Sequence, residues 1–210
     1  MMIHFDYLFP KYGISPSGVL HLGANTGQER DVYVNHGVKE VVWIEAIPEV
    51  YDQLCRNLQG IEGQTAMLLC VGDEEGKEVT FKMSNNEMQS SSYLELEHHK
   101  IIHPEVHYVG EFKTQTRRLD NVFGKGSFKD GQWFLNADLQ GAELAAFKGM
   151  GDLLHEFKWI YSEVNKRETY RGCALIGELD EYLAQFGFVR VETGEWVGDT
   201  WTDALYISNK

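Results

Sequence analysis

The sequence predicts an α/β fold, a doubly wound and mostly parallel sheet covered by helices, and three observations carry that reading. Short β-branched and aromatic runs alternate with segments whose apolar residues recur at helical spacing. The 210-residue chain is 43% hydrophobic and 24% charged, enough to bury one sizeable core and too apolar for general disorder. Its 21 glycines repeatedly follow the ends of the runs, where a chain turns. No repeat, linker or low-complexity stretch divides the chain, so residues 1–210 read as one domain.

The first run, Ser17 to Leu22, ends in a glycine-bearing turn from Gly23 to Gly27. A short helix is expected from Gln28 to His36, with Gly37 as its stop. Glu40 to Ile44 forms the second strand, closed by Glu45. Pro48 suits a first helical position, and Val50, Leu54 and Leu58 then recur four apart until Gly60. Ala66 to Val71 is the third run, ending at Gly72 and Asp73. From about 76 to 131 the pattern changes: strand-like pieces at 78–83 and 106–112 flank a Ser/Asn-rich stretch and a histidine-rich one. This is read as an insertion between strands 3 and 4 that roofs a site, because long irregular insertions in compact domains are usually functional. The core pattern resumes at Trp133 to Asp138, with a helix around Glu143 to Lys148. Trp159 to Ser162 is the fifth run and ends in Glu163. Leu175, Ile176, Leu179, Leu183 and Phe186 make one helical stripe before Gly187. Phe188 to Glu192 and Asp203 to Ser208 have no helix between them, which predicts an antiparallel hairpin at the sheet edge.

Nineteen Lys and Arg against 32 Asp and Glu give a net charge of −13. Such a chain repels phosphate backbones, so neither nucleic acid nor an anionic membrane is expected as its partner. No apolar run approaches the roughly 20 residues of a membrane span, and the N-terminus lacks the pattern of a signal peptide. Cys55, Cys70 and Cys173 form no CxxC pair and are odd in number, which argues against metal fingers and disulfide scaffolds. A reducing, cytoplasmic compartment is the simplest expectation.

In a doubly wound sheet, ligands bind beyond the carboxyl ends of the strands. Gly23 and Gly27 let backbone approach a ligand there, and Glu45 lies about 20 residues further on, the offset at which an acid takes ribose hydroxyls. A dinucleotide fingerprint would need Gly at Asn25 and Gly or Ala at Gln28. Lacking both, the turn points to a nucleoside cofactor without phosphates, such as S-adenosylmethionine. The alternative is a glycine turn that serves packing only.

Together these residues resemble the FkbM family of S-adenosylmethionine-dependent O-methyltransferases. The resemblance rests on Val19 to Glu29, on Trp43 to Pro48, and on Ser90-Ser91-Ser92. It rests further on Asp138-Leu139-Gln140-Gly141-Ala142-Glu143 with Lys148-Gly149, on Ser162 to Asn165 with Tyr170, and on Gly187-Phe188. Many members carry Asp where this chain has His21; a branch with His there and Glu at position 29 is the closer likeness. The resemblance implies a Rossmann-like class I methyltransferase sheet of seven strands, the last antiparallel. It implies cofactor contacts at Gly23, Ala24, Asn25, Gly27, Gln28, Glu45, Ala46, Val71, Gly72, Asp138 and Leu139. It also sets Ser91, Ser92, Asn165 and Tyr170 beside the acceptor.

Methyl transfer to a hydroxyl needs alignment and a nearby base. Asp138 and Glu163, at adjacent strand ends, are the catalytic candidates. Asp138 would also suit a helix cap, and Glu163 an ion pair with Lys166 or Arg167. A divalent cation held by the two acids is the alternative use of the pair. His99, His103 and His107 are four apart, but Pro104 interrupts any helix that would align them as zinc ligands; one of them acting as base or touching a sugar fits better. Trp196, Trp201 and Tyr170 offer flat faces for a pyranose. The expected acceptor is a sugar hydroxyl of a glycan or glycosylated metabolite. The rivals are a polyketide hydroxyl or carbamoyl group, or a non-catalytic binding module. The chain could equally be one domain of a larger glycan-assembly protein.

Overall fold

The computed structural model describes residues 3–128 and 131–209. Residues 1, 2, 129, 130 and 210 lie outside that description, as do the parts of the N-terminal and insertion readings that fall on them. Seven strands form the central sheet: β1 (Gly18–Leu22), β2 (Glu40–Glu45), β3 (Gln64–Leu68), β7 (Trp133–Ala137), β8 (Phe157–Asn165), β9 (Phe188–Thr193) and β10 (Trp201–Ser208). Their spatial order is β3-β2-β1-β7-β8-β10-β9, and β10 alone runs antiparallel to its neighbours. The expected doubly wound, seven-stranded sheet is therefore present. The expected antiparallel hairpin at the sheet edge is β9–β10, with the final strand slotted between β8 and β9 and β9 outermost.

Side chains alternate across the strands, and each face has its own core. Val19, Trp43, Phe134, Trp159, Tyr161 and Leu205 pack under α1 (Phe5–Tyr12), α2 (Arg30–Asn35) and α3 (Pro48–Leu58). Leu20, Ile44, Leu135, Ile160 and Tyr206 face the other way, under α5 (Leu119–Val122), α6 (Glu143–Met150) and α7 (Ile176–Ala184). Helix α3 begins at Pro48 and buries Val50, Leu54 and Leu58, as their spacing predicts. The start of α7 is fixed by Glu178, whose carboxylate accepts the Leu175 N–H at 2.8 Å. Helix α1 has no counterpart in the sequence reading. It buries Phe5, Leu8 and Phe9 against the sheet despite Pro10 within it, and Lys11 pairs with Glu192 on β9.

The third run splits. At Leu69, whose N–H bonds to the Glu45 carbonyl at 2.9 Å, the chain leaves the main sheet. Cys70–Val71 becomes β4 and pairs in parallel with β6 (Tyr108–Arg117), which is antiparallel to β5 (Glu78–Ser84). An unbroken apolar run gave no sign of this change of partner. The insertion is thus a three-stranded sheet order β4-β6-β5, with a short α4 (His99–Ile102) in its connection.

The ends of β1 and β7 meet with no room to spare. Gly23 has φ +80°, and a Cβ there would lie 1.8 Å from the carbonyl oxygen of Asp138. Gly23→Ala should therefore cost at least about 2 kcal/mol of unfolding free energy in a urea titration. A loss below half of that would show that the strand ends part easily.

Candidate active site

Two rows of polar side chains lead to the carboxyl ends of the strands. In the first row, His21 pairs across the sheet with Trp43 and Asn136, and Asn136 with Tyr161. Two residues further along, on the same face, stand Glu45, Asp138, Glu163 and Asp203, the last two directly paired across β8 and β10. A cavity of about 640 Å³ opens above them, roofed by the insertion through Ser90, Ser91, Tyr93, His99, His103 and Glu105. This is the size range of a small-molecule site.

The glycine turn and Glu45 form one unit. Glu45 Oε2 accepts the Asn25 N–H at 2.9 Å, and Oε1 accepts those of Ala46 and Ile47 at 2.8 Å. Asn25 holds φ 45° and its side chain reaches the roof, donating to the Glu87 carbonyl at 3.1 Å. Burial raises the Glu45 carboxyl above its ordinary value, against the pull of these three amides.

A second unit centres on Gln140, which the sequence reading did not single out. Its Nε2 donates to Asp138 and, at 3.3 Å, to Glu163 Oε2; its Oε1 accepts the Tyr170 hydroxyl. Its carbonyl accepts from Ser92 Oγ at 2.9 Å. Gln140 adopts φ 54°, and Gly141 beside it is required by contact: a Cβ there would sit 2.9 Å from that of Tyr170. The residue was visible within the D-x-Q-G-A-E segment; its strained backbone and its bridging role were not.

Carboxyls crowd this floor. Asp138 is open to the cavity yet enclosed by protein, and that enclosure, with Glu29 nearby, raises it to about 6 against the Gln140 bond. Burial first, then Asp138, raise Glu143 and Asp203 to about 7 each. Glu163 lies well above the usual carboxylate range through burial and the charges of Glu143, Asp138 and Asp203. His21 is buried and pushed down to about 3, hence neutral, between Tyr33 Oη at 3.2 Å and Asn136 Nδ2 at 3.3 Å. Among the described residues that line the cavity there is no Lys or Arg.

Of the residues expected at the cofactor, Gly23, Asn25, Gln28, Glu45, Ala46, Val71, Asp138 and Leu139 line the cavity. Ala24 and Gly27 do not: Ala24 is in the core and Gly27 faces Leu54. Gly72 also lies away from it, against Thr116. Ser91, Tyr170 and Glu163 line it, whereas Ser92 and Asn165 stand behind it, bonded to Gln140 and Glu163. Asp138 does not cap α6, whose first turn is served by Glu143 accepting from Leu139 and Gly141. The alternative ion pair of Glu163 is absent; Lys166 and Arg167 pair with Asp199. Tyr170 is fully buried and offers no open face, while Trp201 does line the cavity and Trp196 does not. Ser90, Ser91 and Ser92 form a bonded, buried cluster rather than a loose loop. Asn136 and Asp203 were missed, although a lone polar residue inside an apolar strand was a usable signal. Among the described residues no group of three or more His, Cys, Asp or Glu is set to hold a metal ion. Nor is any helix there long and apolar enough to cross a membrane.

Residues 21–190 match the family described as Methyltransferase FkbM domain. The chain belongs to this family of S-adenosylmethionine-dependent methyltransferases. It is 23% identical over 180 residues to 2-O-methyltransferase NoeI of Sinorhizobium fredii, covering 81% of this chain and 72% of that one. The fold is that of Streptococcus pneumoniae Sp1610 in complex with S-adenosyl-L-methionine, with TM-score 0.54, 14% identity, and coverage of 100% of this chain and 74% of that one. It is likewise that of magnesium protoporphyrin IX methyltransferase from Synechocystis, with TM-score 0.52, 9% identity, and coverage of 97% and 76%.

The raised carboxyls have a consequence for stability. Each binds its proton more tightly folded than unfolded, so its contribution is complete below roughly pH 4 and fades as pH rises through the folded value. For Asp138 that value is about 6, and for Glu143 and Asp203 about 7. The ligand-free protein should therefore lose stability between about pH 4 and 7 through these groups. Asp203→Asn should recover about 1 kcal/mol or more at pH 8 and several-fold less at pH 4.5 in urea titrations. Equal effects at both values would exclude a charge origin.

Proposed function

We propose that this chain is an O-methyltransferase that moves the methyl group of S-adenosylmethionine to a hydroxyl, most simply of a sugar in a glycan or glycosylated metabolite. The observation that carries the cofactor half is the acid-lined cavity beyond the strand ends, walled by Glu29, Glu45, Glu105, Asp138, Glu163 and Asp203 with no Lys or Arg among the described lining residues. A sulfonium and an ammonium fit such a wall, whereas the pyrophosphate of a dinucleotide is repelled by it. The hydroxyl half is supported by the likeness to a relative named as a 2-O-methyltransferase.

On this reading Glu45 holds the ribose, the turn from Gly23 to Gln28 the methionine end, and Val71 and Leu139 flank the adenine. When bound, the cofactor supplies an electrophilic methyl carbon. The protein must bring a hydroxyl into line with it and exclude water, which is where most of the rate arises. Asp138 and Glu163 frame the reacting centre, clamped by Gln140 and Tyr170. No resident metal is needed for this chemistry. Three free thiols suit a reducing compartment, and the chain acts as one methyltransferase domain.

Calorimetric titration should give micromolar binding of S-adenosylmethionine and none of NAD. Glu45→Gln should weaken that binding about 10–100-fold, since the neutral amide loses charge-assisted bonds; unchanged affinity would remove Glu45 from the ribose site. In Gln140→Ala the clamp is lost while the cofactor pocket stays. Turnover should then fall about 100-fold with cofactor affinity nearly intact, and a loss confined to affinity would contradict the clamp.

A further inference from the structure

The strand-end acids share their protons with one another, and they are not the only groups at the cavity able to act as the base that this transfer requires. Burial and acidic neighbours push the Glu163 carboxyl well above its ordinary range, and a single Gln140 amide ties it to Asp138. The roof holds a different pair of groups. His103 lines the cavity, and its Nδ1 is 3.4 Å from Glu105 Oε1, with its ring 5.2 Å from that of His99. A carboxylate on the Nδ1 side favours the tautomer with its lone pair on Nε2, the arrangement of a base set by an orienting acid.

His99 adds an independent sign of a missing ligand. It is 95% buried in the same cavity wall, since only 5% of it is exposed, and its Nδ1 has no partner among the described residues. Its Nε2 lies 3.1 Å from Ser90 Oγ, which already accepts from Asn86 Nδ2 at 2.9 Å. Whichever way the Ser90–His99 bond runs, Nδ1 is the ring nitrogen left for a ligand in the cavity. Its ring is 5.7 Å from that of Tyr170, whose hydroxyl reaches the Gln140 clamp. The histidines therefore stand on the roof side of the cavity whose floor carries Asp138 and Glu163.

We propose that His103, oriented by Glu105, takes the proton of the acceptor hydroxyl, with His99 Nδ1 as a hydrogen-bond partner of the same acceptor. This rests on reading the site as a methyl-transfer centre. The hydroxyl oxygen forms its bond to the methyl carbon as the carbon–sulfur bond breaks, and that electron pair stays on sulfur. The proton passes to His103 Nε2, and the imidazolium, stabilised by Glu105, later returns it to water.

Calorimetry separates the two levels: if S-adenosylmethionine does not bind the wild-type chain, the methyl-transfer reading fails and this proposal with it. With binding in hand, a pool of methyl glycosides of neutral hexoses and 6-deoxyhexoses is added to the S-adenosylhomocysteine complex. The imidazole nitrogen signals of His99 and His103 should shift. Label from methyl-tritiated S-adenosylmethionine should enter the same pool. His103→Gln should lower turnover at least about 100-fold, and Glu105→Gln about 10-fold, with cofactor affinity changed less than about twofold. The acid limb of the pH profile should vanish in His103→Gln, because the base whose protonation caused it is gone. A His103→Gln rate within about threefold of wild type, or a limb that persists and so belongs to Asp138, would overturn the proposal. A pool that neither moves the imidazoles nor takes label while the cofactor binds would do the same.

Discussion

In-register parallel pairing of β1 with β7, and of β7 with β8, is the constraint from which the site follows. Because side chains alternate along a strand, residues at equal steps stand on one face in a row. The row through His21, Asn136 and Tyr161 is therefore followed by one through Asp138 and Glu163. Gly23 lets the two central strand ends close without a side chain between them. A one-residue slip in this pairing would turn the carboxylates into the opposite core.

Crowded acids are a cost to the fold and an asset to the site. Asp138, Glu143, Glu163 and Asp203 cannot all ionise at neutral pH, so the floor keeps protons that an isolated carboxyl would release. A cationic ligand stabilises their ionised forms and relieves that repulsion, so the cavity favours positive charge before any specific contact is made. Gln140 meets the remaining demand, bridging two acids with one amide while a left-handed backbone turns it into place.

The roof depends on the departure of β4 from the main sheet. Once Cys70 and Val71 pair with β6, the β5–β6 hairpin stands over the strand ends and brings Ser90, His99 and His103 to the cavity. The Ser90–Ser92 cluster joins the roof to the floor, since Ser92 bonds to the Gln140 carbonyl and Tyr170 reaches up to the Ser90 carbonyl at 3.4 Å. Floor and roof thus form one hydrogen-bonded unit.

By itself the sequence determined the main sheet, the helices that follow its strands and the strand-end acids, but not α1. Those signals are local: alternating apolar runs, Pro48 before a four-residue stripe, Glu45 and Asp138 at the close of two strands. The family was legible too, because its motifs are contiguous segments. Tertiary structure alone decided which polar residues meet. Gln140 joins Asp138, Glu163 and Tyr170, His21 is kept neutral by its burial between Tyr33 and Asn136, and Asp203 reaches Glu163 only because the last strand lies beside β8. It also withdrew Ala24, Gly27 and Gly72 from the cavity wall and split an unbroken apolar run between two sheets. The physical reason is the same in each case. Backbone preference and periodicity act over a few residues, whereas hydrogen bonds and charge coupling act across whatever distance in sequence the fold closes.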